Sequence, residues 1–147
     1  DSLRRSITDI VSGNTSGQGV QNRTFVMGYG DHAFQVNDLL VRDSVVLLPE
    51  TFYIWKAKKF EDITLESLSI FATLFPTVEL VIIGCGDRVP SLLPPEIVQT
   101  FKRKGIVLEM MNSTSALSTF NVLNSEGRNV GAAILPVKGL QDRPAAV

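Results

Sequence analysis

Within residues 78–111, the apolar positions follow a strand pattern, then a helical pattern, then a strand pattern again. Residues 78–83 and 106–111 are short apolar runs with β-branched side chains, a pattern typical of strands that are buried on both faces. Between them, apolar residues recur at helical spacing from Pro94, which suits a first helical turn, to Gly105, which suits the position after a helix. Two strands joined through a helix are parallel in nearly all proteins, so this stretch predicts a βαβ unit.

A further helix and strand continue this pattern toward the end of the chain. Asn112 or Ser113 is predicted to cap a helix that closes at Gly127, because a side-chain oxygen can accept a free N–H of the first turn. Residues 130–135 form a last apolar strand, which Pro136 ends. The predicted order is therefore strand, helix, strand, helix, strand, with three parallel strands.

One more helix is predicted before this unit, with Thr64 as its N-cap and Pro76 as its end. Glu66 in its first turn favours the helix dipole. The apolar residues that recur at helical spacing between the two boundaries are Leu65, Leu68, Ala72 and Phe75.

The part of the chain before this helix carries β signals. Gly28 and Gly30 interrupt the first strand and predict either a bulge or a close approach of another backbone. Asn37-Asp38 predicts a turn. The two stretches that flank Asp43 are interpreted as a hairpin or a single bulged strand. The predicted strands are residues 25–29, 34–36, 39–42, 44–48 and 51–56.

These elements predict an α/β fold in three layers, with a βαβαβ sheet covered by helices and a separate N-terminal antiparallel β layer. Residues 22–138 are assigned to this single domain. Residues 1–21 are interpreted as a flexible N-terminal segment, whose arginines and hydroxyl residues fit the remnant of a transit peptide. Residues 139–147 are interpreted as a flexible tail.

Composition narrows the class of protein. The chain has 147 residues, of which 44% are apolar and 20% charged, as in ordinary globular domains. Its net charge of −1 does not favour binding to nucleic acid, and no apolar run approaches the roughly 18 residues of a membrane span. With a single cysteine, Cys85, and a single histidine, His32, neither an internal disulfide nor a metal site is predicted.

The most suggestive candidate for a ligand site is the turn Gly84-Cys85-Gly86. It follows a buried strand, at the position where open α/β sheets bind ligands. With Glu109 on the next strand it resembles half of a dinucleotide-binding fingerprint, but Val89 stands where a third glycine would be. The glycines are equally explained by a tight turn. Binding of a small molecule or nucleotide here is kept as the alternative function.

Catalytic groups are few. Cys85 as a nucleophile would need a base, and His32 is the only histidine. A buried cysteine at a strand end is the commoner case, and Asp31-His32 is interpreted as a solvated loop pair. The hydroxyl-rich segment 114–121 predicts either close helix packing or a polar groove, in which Asn121 needs hydrogen-bond partners if it is buried. No catalytic residue and no cofactor are predicted.

Several short motifs stand at fixed spacing over about residues 25–138. They are residues 28–30 (GYG), 46–49 (VLLP) with Trp55 after them, 79–86 (ELVIIGCG), 104–111 (KGIVLEMM), 120–123 (FNVL) and 126–130 (EGRNV). In these motifs the sequence resembles the small family of unknown function to which mitochondrial complex I assembly factor three belongs.

The resemblance implies a three-layer β/α fold with a mixed central sheet and a role without catalysis. Members of this kind are matrix proteins that help to assemble NADH:ubiquinone oxidoreductase, near the inner membrane. They act with a second assembly factor on early intermediates that hold peripheral-arm subunits. The family usually has a cysteine and an arginine where this chain has Leu117 and Ser118. If that arginine binds an anion or a partner elsewhere in the family, this chain lacks the contact.

The sequence therefore predicts a non-enzymatic assembly factor of complex I in the mitochondrial matrix, peripheral to the inner membrane, that presents a surface to partner proteins. Leu92 and Leu93 lie in a loop with no period that would bury them, so they predict an exposed apolar patch. Asp87-Arg88 is either a loop ion pair or a partner contact. The candidate contact residues are Trp55, Asp87, Arg88, Leu92, Leu93 and Arg128.

Overall fold

A computed structural model describes residues 23–74 and 76–138 of the chain. The predictions for residues 1–21, Phe75 and residues 139–147 lie outside the described residues. The described elements are β1 (Val26–Gly30), β2 (Ala33–Val36), β3 (Leu39–Val41), β4 (Val45–Leu47), β5 (Phe52–Ile54), a 3-10 turn (Phe60–Asp62), α1 (Ser69–Thr73), β6 (Leu80–Gly84), α2 (Pro95–Arg103), β7 (Val107–Met111), α3 (Ser113–Ser125) and β8 (Val130–Ile134).

The central sheet has five strands in the order β5-β4-β8-β6-β7. Strand β6 pairs in parallel with β7 on one side and with β8 on the other, which confirms the predicted parallel unit. Strand β4 pairs antiparallel with both β5 and β8. The central sheet is therefore mixed, as the family resemblance implies.

The second sheet contains β1, β2 and β3, all antiparallel. A register shift between Val26 and Gly28 confirms the predicted bulge, and Asn37 turns the chain with a φ of 53°. The predictions of a hairpin or a single bulged strand around Asp43 are both wrong, because β3 stays in this sheet while β4 enters the central sheet. Val45 and Leu47 are fully buried in β4, and such a strand needs cover on both faces.

Two apolar clusters lie on the two faces of the central sheet, which gives the predicted three layers. The cluster on one face joins the sheet to α1 and α2 through Phe71, Ile97 and Phe101. The cluster on the other face joins it to α3 and the small sheet through Phe34 and Phe120. None of the helices in the described ranges is long and apolar enough to cross a membrane.

Helix α1 is shorter than predicted. Thr64 does cap, but it caps a turn: its Oγ1 accepts from the Ser67 N–H at 3.1 Å, and regular helix begins only at Ser69. The indole Nε1 of Trp55 donates to the Ser67 carbonyl at 2.7 Å. Continuous α-helix would pair that carbonyl with the Phe71 N–H, which instead donates to Leu68 O at 3.1 Å.

Helix α3 begins as its sequence predicts. The Oδ1 of Asn112 accepts the N–H of Ser115 at 2.8 Å, so Asn112 is the N-cap. Ser113, the other predicted cap, is the first residue of the helix and is fully buried. This position brings the Ser113 hydroxyl against the end of β6.

Candidate functional site

The strand-end turn after β6 is closed by the protein itself. The N–H of Cys85 donates to Met111 O at 2.9 Å, and the N–H of Gly86 donates to the hydroxyl of Ser113 at 2.8 Å. The Gly86 carbonyl in turn accepts from the Ser113 N–H at 2.8 Å. A phosphate cradle needs free backbone N–H groups, and these two are already bonded. The nucleotide-binding alternative is therefore not favoured.

Gly84 is required by close packing at the same place. A Cβ on Gly84 would lie 2.9 Å from Ser113 Oγ and 3.0 Å from Ile134 Cδ1. The Ser113 hydroxyl also donates to Leu135 O at 2.6 Å. The start of α3 thus fills the position that a ligand would take, and the glycine is explained by the tight turn.

Cys85 and His32 have different hydrogen-bond partners, since the Cys85 thiol donates to Ile83 O at 3.8 Å. The Cys85 thiol is buried, and burial raises its pKa to about 11, so the thiol is neutral at physiological pH and is a poor nucleophile. His32 Nδ1 lies 2.7 Å from Asp31 Oδ1, and both side chains are substantially exposed. This confirms the interpretation of Asp31-His32 as a solvated loop pair.

The polar side chains of α3 hold other parts of the fold. Asn121 bonds the backbone of Val26 twice, accepting its N–H and donating to its carbonyl, both at 2.9 Å. Asn124, whose role no sequence pattern indicates, donates to Thr24 O and Pro49 O at 3.0 Å. The packing interpretation of the hydroxyl-rich segment is confirmed for Asn121, which ties α3 to β1 of the small sheet. Asn124, beyond that segment, ties α3 to the backbone before β1 and after β4.

Two of the six candidate contact residues lie in the core. Leu93 is 5% exposed and Trp55 2% exposed, whereas Leu92 is 83% exposed. The prediction of an exposed leucine pair is therefore wrong for Leu93, which packs with the α2 face of the core. Trp55 instead supports the turn before α1 through its indole N–H.

The remaining candidates lie at opposite ends of the parallel strands. Asp87 and Arg88 are exposed in the loop that follows β6, where Asp87 Oδ2 accepts from the Lys138 N–H at 3.3 Å. Arg128 is exposed in the connection that precedes β8, beside a separate cavity of about 390 Å³. The candidate residues therefore do not form one continuous surface.

An apolar groove of about 460 Å³ lies between α2 and the edge strand β7. It joins the exposed Leu92 to apolar side chains of α2 and β7. An exposed apolar surface of this kind is typical of an interaction site. The groove is lined by Leu92, Leu93, Pro95, Val98, Gln99, Leu108 and Met110.

The fold and its closed strand end define a small three-layer α/β domain. Solved structures share this fold. A Bordetella parapertussis protein has a TM-score of 0.71 at 33% identity, covering 78% of this chain and 96% of that one. A Bartonella henselae protein, described as an outer membrane protein, has a TM-score of 0.72 at 28% identity, covering 80% and 98%.

Residues 26–135 match a protein family of unknown function, DUF498/DUF598. The chain belongs to this family. It is 36% identical over 115 residues to the Bos taurus NADH dehydrogenase (ubiquinone) 1 alpha subcomplex assembly factor 3, covering 78% of this chain and 62% of that protein.

Other relatives extend the family beyond mammals. The Drosophila melanogaster protein of the same name is 36% identical over 113 residues, covering 76% of this chain and 58% of that protein. An uncharacterised Rhodobacter capsulatus protein is 32% identical over 112 residues, covering 76% and 84%. The chain thus spans about three fifths of the length of the animal relatives.

Proposed function

We propose that this chain is the folded body of an assembly factor for mitochondrial respiratory complex I, and that it acts by binding other proteins without catalysing a reaction. The observation that carries the proposal is the 36% identity, over 78% of the chain, to a protein named as a complex I assembly factor. The region that the family model matches, residues 26–135, contains both sheets and the three helices of the described residues.

The geometry of the strand end supports a role without catalysis. The backbone N–H groups of Cys85 and Gly86 are bonded within the protein, and the thiol of Cys85 has a raised pKa of about 11. The surface proposed for partner binding is the exposed loop with Asp87, Arg88 and Leu92, together with the groove beside it. Arg128 is proposed as a separate contact.

The proposed place of action is the mitochondrial matrix, at the inner membrane. The proposed partners are early intermediates that hold the peripheral-arm subunits, together with a second assembly factor. The names of the animal relatives, which refer to an assembly factor of NADH dehydrogenase (ubiquinone), support the compartment and the kind of partner.

A rescue experiment tests this proposal. The chain is expressed behind a mitochondrial targeting peptide in human cells whose own assembly factor 3 is deleted, and mitochondrial membranes are separated on a native gel with mass spectrometry across the lanes. We expect the chain to migrate with a complex I subassembly and mature complex I to return. Migration of the imported chain only as a small species, with complex I still missing, would contradict the proposal.

A further inference from the structure

Among the described residues, the outer edge of β7 is open. The N–H of Val107 and the carbonyl of Met111 both bond toward β6, at 3.0 and 2.9 Å. Because backbone groups alternate in direction along a strand, Leu108 and Met110 direct their N–H and C=O groups away from β6. No further strand pairs with β7 on that side within residues 23–74 and 76–138.

This edge has little of the protection that edge strands usually carry. Its register with β6 is continuous over five residue pairs, without a bulge, and it contains no proline. Its one charged residue is Glu109, which is exposed. Since proteins normally protect exposed edges with bulges, prolines or several charges, a regular and largely apolar edge is suited to pairing with another strand.

The apolar groove between α2 and β7 runs along the same edge. The side chains of Leu108 and Met110 point to the α2 side of the sheet, where Val98 and the exposed Leu92 complete the apolar lining. Recognition by strand addition uses this combination, because main-chain hydrogen bonds supply affinity and pockets for alternate side chains supply specificity.

A second copy of this chain is a poor occupant. Two copies could pair antiparallel through the outward groups of both Leu108 and Met110. Glu109 would then lie opposite Glu109 of the other copy, in the closely spaced type of pair. Like charges directly opposite each other destabilise a sheet. In the two neighbouring registers, one of these residues would lie opposite Ile106 or Asn112 of the other copy. Neither can complete the pairing, because the N–H of Ile106 and the C=O of Asn112 already bond within the fold at 2.9 Å.

We infer that an extended segment of a partner protein adds to β7 as a sixth strand of the central sheet. Its apolar residues, at every second position, enter the groove beside Leu92 and Val98. A lysine or arginine on its other face lies opposite Glu109, where opposite charges favour pairing. The inference rests on the proposed function only for its assumption that the partner is a protein.

Two matched peptides test the inference on the purified chain. One has the sequence Thr-Val-Thr-Val-Lys-Val-Thr-Val-Thr, and the other has glutamate in place of lysine; both are blocked at their ends and labelled for fluorescence anisotropy. We expect the lysine peptide to bind about threefold to tenfold more tightly. In Glu109→Lys the preference is expected to reverse, which a general loss of structure would not produce.

Two leucine variants locate the binding site. Leu92→Asp is expected to weaken the lysine peptide about tenfold, because it places a charge in the apolar groove. Leu40→Asp is the matched control, since Leu40 is a half-exposed leucine of the small sheet, and it is expected to bind as the native chain does. Amide hydrogen exchange at Leu108 and Met110 is expected to slow when the lysine peptide is bound.

Three results would overturn the inference. These are equal binding of the two peptides, unchanged exchange at Leu108 and Met110 with saturating peptide, and a concentration-dependent dimer that protects the same amides without peptide. The last result would identify a second copy as the occupant. The peptide result and the rescue of complex I are independent, so failure of one is distinguishable from failure of the other.

Discussion

The carboxyl end of β6 and the outer edge of β7 differ in what they leave available. At the first, where α/β sheets commonly bind ligands, Ser113 fills the turn and bonds the Gly86 N–H at 2.8 Å. At the second, the backbone groups of Leu108 and Met110 point outward beside an open apolar groove. Among the described residues, the central sheet is therefore closed at the end where α/β sheets commonly bind ligands and open along its β7 edge.

Strand β7 contributes to both regions, but in different ways. The last carbonyl of β7, at Met111, accepts the Cys85 N–H and helps to close the turn. Two residues earlier the strand carries the exposed Glu109, with outward backbone groups on either side of it. The comparison teaches that the position of a site in a fold has to be judged from the bonds that neighbouring segments already make.

Gly84→Ala should have the largest effect on the closed end. The new Cβ would meet Ser113 Oγ at 2.9 Å and Ile134 Cδ1 at 3.0 Å, and such overpacking costs about 3 kcal/mol. Urea unfolding measures the free energy. Gly28→Ala is the control, because nothing lies within 4 Å of the position that a Cβ would take there; equal stability of the two variants would contradict the close packing of the turn.

Alkylation of Cys85 measures how well the turn is closed. Since burial raises its pKa from 9.0 to about 11, the thiolate fraction at pH 8 falls by about a hundredfold relative to an ordinary cysteine. The folded chain should therefore react with iodoacetamide at least about a hundredfold more slowly than the urea-unfolded chain. The rate should rise with pH until about pH 11, and a plateau near pH 9 would show an ordinary, accessible thiol.

Ser113→Ala tests the two hydrogen bonds that close the turn. Its hydroxyl accepts from Gly86 N and donates to Leu135 O at 2.6 Å, so alanine leaves two buried backbone groups without their partner. Such a change costs about 2 kcal/mol, again measured by urea unfolding. Ser118→Ala, at an exposed position of the same helix, should be nearly neutral. A neutral Ser113→Ala would mean that the hydroxyl does not hold the turn.

Leu92→Asp, at the open edge, should affect stability much less than the substitutions at the closed end. Because Leu92 is 83% exposed, its replacement should change the free energy of unfolding by less than about 0.5 kcal/mol. A loss of stability comparable to that of Ser113→Ala would show that Leu92 is part of the core.

The sequence predicted the parallel pairing of β6 with β7 and β8, because apolar runs and helical spacing mark the elements of a βαβ unit. It was wrong about burial at β7, which was predicted to be covered on both faces but is an edge strand with Val107 and Glu109 exposed. It predicted the closed end only in part. Two glycines around Cys85 are equally consistent with a phosphate-binding loop, and the hydrogen bond from Gly86 to Ser113 depends on how α3 packs. That contact joins segments distant in the chain, so no local pattern reports it.

The sequence pattern does not identify the open edge of β7. Leu92 and Leu93 have the same residue type and adjacent positions, yet one is exposed and the other lies in the core. In the same way, Val98 and Leu108 are apolar at core spacing, which gives no sign that they also line a groove. The strand order decides which of these side chains are exposed, because β7 is an edge strand only if β8 pairs with the other side of β6.

The most direct test of the central claim is the amount of mature complex I in human cells that lack their own assembly factor 3 and express this chain in mitochondria. Native gels would compare the unaltered chain, Leu92→Asp and Leu40→Asp at equal protein levels. We predict that the unaltered chain and Leu40→Asp restore the complex and that Leu92→Asp does not. Equal restoration by all three chains would contradict a role for the open edge, and restoration by none would contradict the assembly function itself.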